Sequence, residues 1–113
     1  MKTLDLVLKH KWYDMIACGE KKEEYRAIKP YWIKRLLYRF QNDECVVDYK
    51  ESDNAIMMRC RWFGPRHTLV RFHRGYTNTT MTFFIKDIEI GVGNPHWGAP
   101  AEEVFVIKLG ERL

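Results

Sequence analysis

The chain has 113 residues, 46% of them hydrophobic and 30% charged, which is long enough to bury one core without disulfide or metal staples and too apolar for a disordered chain. A formal net charge of +4 is too small to argue for nucleic acid by itself, and the three cysteines, Cys18, Cys45 and Cys60, are odd in number with no CxxC pair, which argues against a disulfide framework or a zinc knuckle. No run approaches the roughly 20 apolar residues of a membrane span, and Asp5 interrupts the apolar stretch a signal peptide needs, so one reduced, cytoplasmic domain spanning residues 1–113 is expected.

Thr3 to Leu8 is rich in Leu and Val and is predicted as a strand. Lys9 to Cys18 then spaces Leu8, Trp12, Met15 and Ile16 helically, and Gly19 follows as a C-cap. Glu23 to Ile28 alternates, placing Tyr25 and Ala27 on one face of a short strand and Glu24, Arg26 and Ile28 on the other. Pro30 suits the first position of a second helix, in which Ile33, Leu36, Leu37 and Phe40 form the apolar stripe and Lys34, Arg35 and Arg39 lie off it. Gln41 to Asn54 is polar and acidic around Cys45-Val46-Val47 and reads as a loop around a short strand. Four further strands are predicted, over Ala55 to Phe63, Thr68 to His73, Met81 to Ile90 and Val104 to Leu109. They are separated by Gly64-Pro65, by Gly75-Tyr76-Thr77-Asn78 and by a loop from Gly91 to Pro100. The predicted class is α+β, with a curled sheet or small β-barrel beside the helices.

The distribution of charge says more than its sum. Between Asp53 and Asp87 there is no acid, while Arg59, Arg61, Arg66, Arg71, Arg74 and Lys86 all fall there together with His67 and His73. Arg59, Arg61, Arg71 and Arg74, interleaved with Trp62, Phe72 and Tyr76, fit a phosphate-tracking surface with stacking platforms for bases. The same alternation also fits an ordinary amphipathic strand with its aromatics in the core. Trp97, in a Gly- and Pro-rich loop, suits either a base-stacking gate or the plug of one barrel end. His10, His67, His73 and His96 lack ligand spacing, so neither a metal nor a cofactor is expected.

The most specific pattern is Gly19-Glu20-Lys21-Lys22-Glu23-Glu24-Tyr25-Arg26. Glu24 and Arg26, two apart on a strand, share a face, and Lys21 at the preceding turn reaches the same place, so two cations and one carboxylate converge. This G-x-K-x-x-E-x-R spacing after a strand and a helix resembles the signature of the ASCH domains, a branch of the PUA-like folds. Phe72-His73-Arg74-Gly75-Tyr76-Thr77, Gly91-Val92-Gly93-Asn94-Pro95-His96-Trp97-Gly98-Ala99 and Val104-Phe105-Val106-Ile107-Lys108-Leu109-Gly110 are similar to segments of its small bacterial and phage members. The resemblance implies a PUA-like β-barrel flanked by helices, with a cleft lined by Lys21, Glu24 and Arg26 that takes RNA or a modified nucleoside.

The resemblance also implies an enzymatic alternative. One small bacterial member is an N4-acetylcytidine amidohydrolase whose signature lysine is catalytic, and a ribonuclease activity has been ascribed to another. On that reading Lys21 and Glu24 are the catalytic pair. Here Glu24 stands where that amidohydrolase has a threonine, and a carboxylate beside a lysine favours the ammonium, which is neither nucleophile nor base. The expected chain is therefore a monomer that binds RNA or a modified nucleoside, with a small hydrolase as the alternative and a protein-interaction module as the third reading. The three signature charges are expected to matter more to a ligand than to folding.

Overall fold

The computed structural model describes residues 3–36 and 68–113. It contains, in chain order, β1 (Thr3–Leu8), α1 (His10–Ala17), β2 (Glu23–Arg26), α2 (Pro30–Leu36), β3 (Leu69–Arg74), β4 (Thr80–Val92), a 3₁₀ turn at Pro95–Trp97 and β5 (Glu103–Arg112). The predicted strand over Ala55 to Phe63, the loop from Gln41 to Asn54, and the stripe positions Leu37 and Phe40 lie outside the described residues.

In β1 the period-2 pattern is strict, with Leu4, Leu6 and Leu8 buried and Asp5 and Val7 exposed. The chain leaves α1 through Gly19, whose φ of +85° is a conformation an L side chain rarely adopts. The Lys21 N–H then donates to the Met15 carbonyl at 3.0 Å, which folds the chain back toward α1 before β2 begins.

The described strands form one sheet in the order β1-β3-β4-β5-β2. β1 lies parallel to β3, and the other pairs are antiparallel. β4 is the long strand, pairing with β3 through its first residues and with β5 through the rest, with register shifts between Phe83 and Ile85 and between Ile85 and Asp87. Bulges of this kind bend a strand and increase its twist, which curls the sheet into a half-barrel. The predicted curled sheet is present in a small α+β architecture with two helices among the described residues.

The concave side holds the core: Leu4, Leu6, Leu8, Val70, Phe72, Phe83, Phe105 and Ile107 of the sheet meet Tyr13 and Ile16 of α1 and Ile33 and Leu36 of α2. A second, smaller cluster sits on the outside of β2 and β5, where Tyr25, Val104 and Val106 are covered by Trp97 and Ala99. This outer cover explains a departure from simple alternation. Glu24 and Tyr25 are both buried, although they face opposite ways, because β2 has protein on both sides.

The loop that supplies the cover comes close to β2 at Gly93, where a Cβ would collide with the Tyr25 ring and lie 2.7 Å from the Ala99 Cβ. Gly91, two residues earlier in β4, has no atom within 4 Å of such a Cβ. Gly93→Ala is therefore expected to cost about 1–3 kcal/mol, as overpacking does. Gly91→Ala should be neutral or stabilising by about 0.5 kcal/mol. Urea unfolding of the two variants beside the parent checks this, and equal stabilities would contradict the close packing of the loop on Tyr25.

Candidate functional site

Among the described residues β2 pairs with β5, with Glu24 opposite Ile107 and Arg26 opposite Phe105. Glu24 and Arg26 thus share the face of Phe105 and Ile107, as their spacing predicts. The turn held by the Lys21–Met15 backbone bond delivers the Lys21 side chain to the same place. Its Nζ lies 2.8 Å from Glu24 Oε1, and an Arg26 guanidinium nitrogen donates to Glu24 Oε2 at 2.7 Å and to the Tyr25 carbonyl at 2.7 Å. The two cations and one carboxylate converge, and each oxygen of Glu24 is held by a different cation.

Aromatic rings complete the arrangement. Lys21 Nζ sits 4.8 Å from the centroid of Trp12 and 5.5 Å from that of Tyr25, while the Arg26 guanidinium lies 5.2 Å from Trp32. These are cation–π distances, and the rings also exclude water from the charges. Lys21 is 2% exposed and Glu24 4% exposed, whereas the Arg26 side chain keeps 17% of its surface. The sequence marks Trp12 and Tyr25 as core residues next to the signature. It gives one weak sign of Trp32, an aromatic off the apolar stripe of α2 and so in need of another partner.

Burial changes the expected cost of removing these charges. An exposed ion pair contributes roughly 0–1 kcal/mol, but taking one partner out of a buried pair strands the other and costs about 3–5 kcal/mol. Two residues of the cluster belong to the interior of the protein, so the cluster has a structural role as well as any role toward a ligand.

The acid-free stretch of sequence is not acid-free in space. Arg71 donates to both oxygens of Asp5, at 2.7 and 3.2 Å, and a ring nitrogen of His73 lies 2.8 Å from the same carboxylate. Arg74 grips Asp14 of α1 at 3.0 and 3.1 Å. The hydrogen bond from Arg71 is the main reason that Asp5 titrates below its ordinary value, and that from Arg74 does the same for Asp14. Each arginine is in turn pushed up by its acid. Phe72 is wholly inside the core, and Tyr76, at the β3–β4 turn, is 99% exposed. Arg71 and Arg74 lie on β3, three places from β2 in the order of the sheet. Arg59, Arg61 and Trp62 lie outside the described residues.

Trp97 is half-buried against Tyr25, Val104 and Val106, on the opposite face of β2 and β5 from the Lys21 cluster. There it borders an open depression of about 270 Å³ with Lys22, Glu23, Lys86, Lys108 and Leu109. Tyr25 links the loop to the strand: its hydroxyl donates to Glu23 Oε1 at 2.8 Å and accepts from the Asn94 N–H at 3.0 Å. Burial is the main cause that pushes Tyr25 up to about 12, opposed by the Asn94 N–H and reinforced by the negative charge of Glu23. Nothing in the sequence brings Lys22, Lys86 and Lys108 together, because they belong to three separate segments, and of the three only Lys86 falls in the acid-free basic stretch.

Among the described residues no group of three or more His, Cys, Asp and Glu is placed to hold a metal ion, and no helix is long and apolar enough to cross a membrane. No protein-family model matches the chain, and no curated protein or solved structure matches it.

Two outcomes follow. Glu24→Gln and Lys21→Met are each expected to lose about 3–5 kcal/mol of stability in denaturant titrations. Arg26→Gln, at the open edge of the cluster, should lose less, and a ranking with Arg26 as the most costly position would contradict this geometry. For Tyr25, the folded value near 12 exceeds the ordinary 10 of an unfolded chain. Its contribution to stability is therefore complete below pH 10 and lost as pH rises toward 12. In a phenolate absorbance titration of the folded protein Tyr25 should ionise late, and a late step should be lost in Tyr25→Phe.

Proposed function

We propose that this chain binds RNA or a modified nucleoside, with Arg26 as the contacting side chain and Lys21 and Glu24 as the groups that hold it in place. The observation that carries this reading is the setting of the Arg26 guanidinium. One nitrogen is held by Glu24 and by the Tyr25 carbonyl, the plane lies near Trp32, and part of the side chain still reaches solvent. A guanidinium already oriented loses little freedom when it meets a phosphate or a base acceptor, and a nearby ring offers a face on which a base stacks. The resemblance of the G-x-K-x-x-E-x-R spacing to the ASCH signature supports the same ligand class. A monomer acting in the cytoplasm completes the proposal.

Hydrolysis is the weaker alternative because of how the charges are engaged. Lys21 would have to give up its proton to act as nucleophile or base, and it is paired with Glu24 at 2.8 Å and flanked by two rings. Glu24 would have to leave two cations to take a proton.

The reading is tested by fluorescence anisotropy of a labelled single-stranded RNA oligomer at several salt concentrations, with release of acetate from N4-acetylcytidine measured in parallel. The affinity is expected to fall as salt rises. Arg26→Gln should weaken it about tenfold or more, in keeping with the loss of a charge-assisted hydrogen bond. Salt-independent binding, an Arg26 variant that binds like the parent, or turnover of the acetylated nucleoside would each overturn binding through Arg26 as the function.

A further inference from the structure

None of Lys21, Glu24 and Arg26 lines the depression beside Trp97, and the Tyr25 ring stands between it and the Lys21 cluster. Three lysines from three parts of the chain meet there: Lys22 ahead of β2, Lys86 in the irregular stretch of β4, and Lys108 of β5, opposite Glu23. The lining holds one acid, Glu23, and that carboxylate accepts the Tyr25 hydroxyl. Lys108 is shared with Glu89 at 3.2 Å. Neither Lys22 nor Lys86 makes an ion pair with another described residue. The rim therefore carries an excess of positive charge.

The flat wall is Trp97, and several contacts hold it. Pro95 starts the 3₁₀ turn, the Asn94 side chain accepts from the His96 N–H at 2.9 Å, and the Asn94 N–H is anchored on Tyr25. A ring nitrogen of His96 lies 3.0 Å from Glu20, which ties the loop to the turn before β2. Neither Lys22 nor Lys86 is needed for this support. A fixed indole next to a cluster of ammonium groups matches a ligand with one flat ring and one anionic group. The volume of about 270 Å³ is just below the roughly 300–1,000 Å³ usual for small-molecule pockets, which suits one base with its phosphate at the rim.

The geometry points to a second binding site in this depression, for a nucleoside monophosphate unit whose base stacks on Trp97 and whose phosphate lies among Lys22, Lys86 and Lys108. The unit comes either as a free nucleotide or as one residue of a single-stranded nucleic acid. The site does not depend on Arg26, so it stands or falls apart from the reading above.

Isothermal titration with adenosine monophosphate, adenosine, inorganic phosphate and a short oligoadenylate tests it. Adenosine monophosphate is expected to bind, with adenosine and phosphate each about tenfold weaker, as expected when stacking and charge act together. The double variant Lys22→Gln, Lys86→Gln changes exposed side chains and should weaken nucleotide binding about tenfold or more without moving the unfolding midpoint. Trp97→Leu should weaken nucleotide binding to a similar extent while also lowering the unfolding midpoint, because the indole covers Tyr25, Val104 and Val106, and Trp97→Phe should restore part of the binding. Tighter binding of oligoadenylate that is lost in the lysine variant would identify a strand as the source, and equal binding of the two a free nucleotide. In the Arg26→Gln background, which removes the other proposed contact, the lysine-dependent part of the monophosphate titration should persist. If adenosine binds as well as its monophosphate, if neither phosphorylated ligand binds, or if the lysine variant matches the parent, the site is wrong. Loss of binding in Arg26→Gln with none in the lysine variant would sink this site while leaving the role of Arg26 intact.

Discussion

The position of Glu24 between Lys21 and Arg26 is the constraint on which the arrangement around β2 rests. A carboxylate that is 4% exposed needs compensation for its lost hydration, and it finds it at 2.8 Å on one oxygen and 2.7 Å on the other. Three consequences follow. Lys21 must lie under cover, so the chain turns back immediately after α1 and Trp12 and Tyr25 close over the ammonium. Arg26 must lie within reach of Glu24 on the same face of β2, where Trp32 of α2 meets it. The register of β2 on β5 is also restricted, because a slip of one residue would turn Glu24 to the outer face and bring Glu23 in, away from both cations.

Charge burial and packing reinforce one another at β2. A strand four residues long has few backbone bonds to hold it. The inner face of β2 is secured by the ion pairs and the outer face by Tyr25 under the Gly93–Ala99 loop. Tyr25 serves both faces: its ring lies near Lys21, its carbonyl accepts from Arg26, and its hydroxyl joins Glu23 to Asn94. A polar network with its members satisfied tends to specify one arrangement, which suits a place where side chains must be held for a ligand.

The arginines of β3 show the contrary case. Arg71 and Arg74 are exposed enough to meet a polyanion, yet each has a bidentate carboxylate partner, and a phosphate would have to compete with it. The lysines near Trp97 are less committed. Among the described residues, positive charge is thus more available on the lysines of the Trp97 depression than where a guanidinium fork meets a carboxylate.

Local pattern was enough to place β1, α1, β2 and the three later strands within three residues, and the start of α2 at Pro30, because the period of apolar residues follows from backbone geometry alone. It also showed that Lys21, Glu24 and Arg26 converge, since two strand residues of equal parity share a face whatever surrounds them. What the sequence left open is what surrounds them. Burial of Lys21 depends on Trp12, nine residues earlier, and on a loop around position 98 that lies against that indole. The pairing of Arg71 with Asp5 and of Arg74 with Asp14 joins residues more than fifty positions apart, brought together by the parallel β1–β3 ladder and by the packing of α1. The lysine rim of the Trp97 depression is likewise assembled from three segments. Periodicity is a property of the chain and can be read along it; solvation and charge pairing are properties of neighbours in space, and only the folded structure supplies those.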